Sequence, residues 1–190
     1  MNAMPEILLA SKSPRRRELF SLITPRFTCT TAPVDERSVD CADAATLCER
    51  LAQLKCRAVA KNAPDNVVVG SDTVVELDGA VLGKPSGESE AREMLRALSG
   101  RTHRVHTGVC IAWANGERSF SCVTEVTFLP IPDAEIALYI QTAEPYDKAG
   151  GYGIQGWAAR WTERIDGDFF NVMGLPVSRV YAALSAENFV

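Results

Sequence analysis

The sequence predicts an α/β fold with a mixed sheet, and two observations carry that reading. Segments of helical and of alternating apolar period interleave along the chain, and three hairpin signals (Asp78-Gly79, Asn115-Gly116, Asp166-Gly167) call for antiparallel neighbours that a purely parallel sheet lacks. Ile7-Leu8-Leu9-Ala10 reads as a short buried strand. Ser13 then Pro14 read as an N-cap and first helical position, opening a helix that reaches Phe20. Residues 26–31 alternate as a strand and 32–37 read as a loop. From Ala42 to about Ala60, the positions Ala45, Leu47, Cys48, Leu51, Ala52, Leu54 and Ala58 follow helical spacing, with Lys55 in the second half. Val67-Val68-Val69 is a buried β-branched run that ends at the turn-like Gly70-Ser71-Asp72-Thr73. Residues 74–77 and 80–82 then flank the Asp78-Gly79 hairpin. Ser86 or Ser89 caps a helix to Leu98, with Gly100 just past its end. Two long strands, 103–113 and 118–128, form the backbone of the sheet. A helix over 132–142, a glycine-rich loop over 144–156, a third hairpin from 158–165 and 169–172, and a terminal helix over 176–185 complete the chain.

Length and composition bound the function. The 190 residues are 46% hydrophobic and 23% charged, which suits one soluble domain spanning 1–190. A formal net charge of -4 argues against general nucleic-acid binding and against adhesion to acidic lipid, so no nucleic-acid or membrane partner is expected. The six cysteines show no C-x-x-C pair and no zinc spacing, so they read as core or half-buried thiols in a reducing compartment. The N-terminus lacks a charged n-region and no apolar run approaches a membrane span, so a cytoplasmic location is expected.

Four polar constellations sit where rigid elements present side chains to a ligand. The first breaks a local rule: Arg15, Arg16 and Arg17 crowd a helix start that is already electropositive. Strand, Ser-rich turn and helix N-terminus make a phosphate seat, against the alternative of arginines splayed into water. Asp35-Glu36 reads by itself as solvated surface. Asp72, placed just past the end of an apolar strand, suits a general base or a Mg²⁺ ligand, and equally a turn residue bonded to its own backbone. Lys84, across the hairpin, supplies a point charge near it. In the run 144–156, four glycines in seven residues let backbone approach a flat ligand, Tyr152 can stack and Gln155 can bond a base edge. Together these spell a nucleotide site. No P-loop and no G-x-G-x-x-G is present, and His103 and His106 fall on opposite strand faces as structural or rim residues.

Several long motifs in order carry a resemblance over nearly the full length: Ser11-Lys12-Ser13-Pro14-Arg15-Arg16, Val34-Asp35-Glu36, Gly70-Ser71-Asp72-Thr73, Gly83-Lys84-Pro85, residues 99–109, residues 147–156 and Asn171-Val172-Met173-Gly174-Leu175-Pro176. The chain resembles the Maf family of nucleoside triphosphate pyrophosphatases. The resemblance implies an elongated mixed β-sheet with flanking helices, in two lobes around a nucleotide cleft, related to the inosine triphosphate pyrophosphatases. It implies Asp72 as the proton acceptor, Arg15, Thr73 and Gln155 as substrate-specificity positions, and Ser11, Arg16, Glu36, Lys55 and Lys84 as further site residues. A divalent metal, magnesium or manganese, is expected on Asp72 together with Glu36. The run 148–156 looks like the subfamily that prefers dTTP and UTP, not the methyl-GTP one. Gly151, Ser71 and Lys12 depart slightly from the family pattern. The expected activity is hydrolysis of dTTP, UTP or modified pyrimidine triphosphates to the monophosphate and pyrophosphate. Two rivals are a nucleotide-binding regulator of cell division or septum formation, and a phosphotransferase with an acceptor other than water. A homodimer is an expectation by analogy alone.

Overall fold

The computed structural model describes residues 5–39, 41 and 43–190. Strand β1 (Ile7–Ala10) leads into helix α1 (Pro14–Ser21), whose Arg16 N–H donates to the Ser13 hydroxyl at 3.4 Å. Strand β2 (Phe27–Thr30) returns parallel to β1. Helix α2 (Ala44–Ala60) is capped by the Asp43 carboxylate on the Thr46 N–H; the expected first residue, Ala42, lies outside the described residues. Strand β3 (Val67–Leu77) lies parallel to β1 on its other side. Strand β4 (Ala80–Leu82) folds back through Asp78 and Gly79, whose φ values of 52° and 83° give the turn that matches strand twist. After helix α3 (Glu88–Leu98), strands β5 (Thr102–Trp113) and β6 (Gly116–Phe128) form one long antiparallel pair. Helix α4 (Asp133–Tyr139), a run of single 3-10 turns, strand β7 (Thr162–Asp166), and helices α5 (Phe169–Met173) and α6 (Val177–Ala186) follow.

The result is an open mixed sheet of seven strands in the order β2-β1-β3-β5-β6-β7, with β4 also on β3 and helices on both faces. Alternation along β3 sorts the layers. Val67 and Val69 pack with Leu19, Phe20, Val180 and Leu184 of α1 and α6, while Val68 packs with Ala52, Cys56 and Val59 of α2. A separate core gathers Leu95, Leu98, Phe128, Tyr139, Tyr152 and Trp161 at the other end of the long strands. Helix α2 lies so close to the sheet that a Cβ on Gly108 would fall 2.2 Å from the Cys48 carbonyl oxygen. Gly108 is registered opposite Asp72, so this contact sets the height of α2 over that carboxylate.

One gap in the sheet positions everything that follows. Strand β5 pairs with β3 from Val68 through Glu76 along one edge. On the opposite edge the pairing with β1 stops at Val69, beside Leu9, and the pairing with β4 starts at Val75, beside Leu82. Among the described residues, 70–74 therefore have no strand partner on that side, and the cleft opens there.

Three expectations need correction. Asp72 is not past a strand end but in the middle of an 11-residue strand: the polar composition of 70–73 mimics a turn because those side chains line a cleft. The third hairpin does not exist. Only Thr162–Asp166 pairs with β6, while 169–173 is a helix capped by the Asp168 carboxylate on the Phe170 N–H and stopped by Gly174 at φ 108°. Neither serine caps α3. Gly87 holds that position, and Ser86 instead donates its N–H and hydroxyl to Glu90 at 2.7 and 2.6 Å. The cysteines are free, five of them buried or half-buried as expected and Cys29 exposed, and no helix among the described residues is long and apolar enough to cross a membrane.

Candidate active site

The nine residues singled out from the sequence meet at the open edge of β3. Arg15, Arg16, Lys55, Asp72, Thr73, Lys84 and Gln155 line an inner hollow. Ser11 and Glu36 join Arg15, Arg16, Lys55 and Lys84 around the adjoining outer one. The turn into α1 forms one wall, and the 3-10 turns over 144–156 with the α5 terminus form the other.

Because successive residues of a strand point to opposite faces, Asp72 and Thr73 meet different partners. Asp72 faces α2, where the Lys55 ammonium donates to its Oδ1. The same ammonium lies 3.2 Å from Glu36. Glu36 opens a 3-10 turn whose cap is Asp35, accepting from the Arg37 N–H at 3.1 Å. The loop pair read as solvated surface thus divides its labour: Asp35 shapes the backbone and Glu36 faces the cleft.

Thr73 faces α1. Arg16 donates from Nη2 to the Thr73 hydroxyl at 3.0 Å and from Nε to the Gly174 carbonyl at 2.9 Å. A carbonyl just past a helix C-terminus carries partial negative charge, so α5 offers its negative end to a cation that the α1 N-terminus repels. Burial pushes the Arg16 pKa down, opposed by Asp72 and Glu36, and the guanidinium stays charged. Arg15 reaches across the cleft to Asp147 at 3.5 Å. Burial alone would raise the Asp147 carboxyl, but bonding to Lys148 and the charge of Lys148 and Arg15 hold it below the usual range.

Sequence reading missed the scaffold behind these groups. Ser71 donates to the Gly174 carbonyl at 3.0 Å. Thr73 shares a 3.0 Å hydroxyl bond with Thr107, which bonds the Asn171 carbonyl at 2.8 Å. The fully buried Asn171 amide donates to the Val105 carbonyl and the Thr124 hydroxyl, both at 3.0 Å. The signal was present as an Asn ahead of a Gly that ends a helix, but nothing local names its partners. The histidines are structural. His106 sits 2.7 Å from Glu76, and buried His103, its pKa pushed down by desolvation to about 4, sits 2.6 Å from the Tyr152 hydroxyl.

Among the described residues no group of three His, Cys, Asp or Glu side chains is arranged to hold a metal. The cleft does bring two carboxylates, Glu36 and Asp72, onto one cation, the Lys55 ammonium. Hard oxygen donors that converge on a cation fit Mg²⁺ or Mn²⁺, which bind through one or two carboxylates and complete their shell with phosphate oxygens and water.

Comparison with known proteins agrees with this architecture. The profile of a family described as Maf-like protein matches residues 6–187. A protein of Koribacter versatilis named dTTP/UTP pyrophosphatase is 49% identical over 175 residues, covering 92% of this chain and 91% of that one. One of the same name from Phocaeicola vulgatus is 47% identical over 182 residues, with 94% of each chain covered. Among solved structures, the Staphylococcus aureus Ham1 protein superposes with a TM-score of 0.55 at 17% identity, covering 96% of this chain and 99% of that one, a likeness of fold alone.

Proposed function

We propose that this chain, which belongs to the Maf-like protein family, is a nucleoside triphosphate pyrophosphatase that hydrolyses dTTP and UTP to the monophosphate and pyrophosphate. One observation carries the reading: Asp72, Glu36 and Lys55 are clustered within one cleft that also holds the arginine-rich helix start. A binding module needs the phosphate seat alone, whereas this site adds a carboxylate able to take a proton and two lysines able to balance a departing pyrophosphate.

In this mechanism Ser11, Arg15 and Arg16 hold phosphate oxygens at the α1 N-terminus, where main-chain N–H groups and guanidiniums both favour an anion. Asp72 orients the attacking water and takes its proton as the α–β anhydride breaks. Lys55 and Lys84 balance the charge that develops on the leaving pyrophosphate. Glu36 and Asp72 would hold a divalent cation, whose chemistry there is to neutralise phosphate charge and activate water. Thr73 and Gln155 read the base, since a site built to hydrogen-bond one edge leaves buried groups unpaired with another. Such chemistry belongs where triphosphates are abundant, in the cytoplasm.

The test is pyrophosphate release from a panel of nucleoside triphosphates with no acceptor added. Release from dTTP and UTP that stops when excess chelator is added is the expected result. Binding without release would return the regulatory reading, and release only when an acceptor is supplied would return the phosphotransferase.

A further inference from the structure

Gln155 lies in a segment with almost no regular structure, yet its turn is tied at both ends to a side chain outside the cleft lining. The turn closes where the Gly156 N–H donates to the Gly153 carbonyl at 3.0 Å. Beyond it, the Trp157 N–H donates to Glu144 Oε1 at 3.2 Å. Ahead of it, the Gly153 N–H donates to the Tyr139 hydroxyl at 3.3 Å, and that hydroxyl donates to the same Glu144 oxygen at 3.1 Å. The chain wraps around the carboxylate closely. A Cβ on Gly156 would fall 2.2 Å from Glu144 Oε1, and one on Gly153 would fall 2.8 Å from it. Lys148 donates to the Glu144 main-chain carbonyl at 2.7 Å, fixing the base of the post.

We infer that Glu144 is a specificity-determining positioning residue: it sets where Gln155 stands and thereby how sharply the enzyme separates pyrimidine bases. This rests on the reading of Gln155 as a base reader. An ionised carboxylate suits the task because it only accepts, so it gathers N–H and O–H donors on one oxygen without adding a donor of its own. Bonds to a charged acceptor are also shorter and stronger than neutral ones, which stiffens a loop that has no ladder to hold it.

The experiment measures kcat/KM on UTP and CTP for the wild type, Glu144→Ala, Glu144→Gln, Gly156→Ala and Gln155→Ala, with melting temperatures to show that each is folded. Glu144→Ala is expected to cut the UTP-to-CTP ratio by roughly tenfold, on the scale that one misplaced contact contributes to discrimination. Glu144→Gln, which keeps an acceptor oxygen in place, retains most of the ratio. Gly156→Ala presses on the turn from the other side with the carboxylate intact, so it lowers the ratio even if Glu144→Ala does not fold. Equal losses on both nucleotides in Glu144→Ala and Gly156→Ala would make Glu144 merely structural and overturn the inference. A ratio lost in Gln155→Ala but kept in the other two would overturn it while leaving the base-reading role of Gln155 standing. A ratio kept in Gln155→Ala would remove that role and this inference with it.

Discussion

The two walls of the cleft are held by different forces. On the wall formed by α1 and α2, most contacts are between charges, Lys55 with Asp72 and Glu36 and Arg15 with Asp147 across the opening, while Arg16 bonds the neutral Thr73 hydroxyl and Gly174 carbonyl. On the wall formed by 139–157 and α5, most are buried bonds between neutral groups, as between His103 and Tyr152 or Asn171 and Val105, with the Glu144 carboxylate and the Asp147–Lys148 pair as exceptions. Aromatic edges back them, with the Phe128 and Tyr152 rings 4.9 Å apart. Phosphate oxygens and a divalent cation can replace the ionic partners on the first wall, because each of those accepts another counterion. They can replace none of the neutral bonds on the second. The first wall is therefore suited to exchanging partners, and the second to keeping its shape.

That contrast can be broken in four places. The largest effect belongs to Asp72→Asn, which keeps the shape of the charged wall but removes its base: kcat is expected to fall about 10³-fold, with the protein still folded and still binding nucleotide. Undiminished turnover would take Asp72 out of the chemistry. On the rigid wall, His103 titrates at about 4 against 6.5 for the free side chain, because burial disfavours its charged form. The unfolded chain takes up that proton first as pH falls, so the stability contribution is complete above about pH 6.5 and is lost progressively toward pH 4, on the order of 3 kcal/mol. Melting temperature against pH should fall across that window in the wild type and fall less in His103→Gln; parallel curves would refute it. Asn171→Leu strips the Val105 carbonyl and Thr124 hydroxyl of a buried donor, at a cost of about 2 kcal/mol, or roughly 4–8 °C in Tm for a chain of this size. A melting point within a degree of wild type would mean that water serves those groups. Asp147→Asn should do least. A half-exposed pair contributes under about 1 kcal/mol, so freeing Arg15 lowers KM for the triphosphate by no more than about fivefold and leaves Tm in place. A raised KM would make Asp147 a ligand-side residue.

The same division explains what the sequence disclosed. The charged wall was legible because arginines at a helix start violate the macrodipole rule, and such violations mark sites. Helical and alternating periods located α1, α2, β5 and β6 within a few residues. The rigid wall was largely closed to that approach. Asn171 and Ser71 act on partners tens of residues away, and Glu144 on Tyr139 and Trp157 across an irregular segment, through bonds that no spacing rule encodes. The misread hairpin at 166–167 has the same origin: a short apolar run fits helix and strand alike, and the Asp168 cap and Gly174 stop decided it. Asp72 was placed in the cleft but on the wrong geometry, since a polar tetrapeptide resembles a turn unless the missing sheet partner is known.

The contact of α2 with Gly108 has a consequence for how such an enzyme can be altered. The Lys55 ammonium meets Asp72 from a helix whose backbone rests directly on the sheet at Gly108, with no side chain between. A single methyl group there would act as a shim, tilting the whole rod and drawing the cation off its carboxylate. The separation of that cation from its carboxylate is thus adjustable from a spot outside the cleft lining, and a screen confined to cleft-lining positions would overlook that dial.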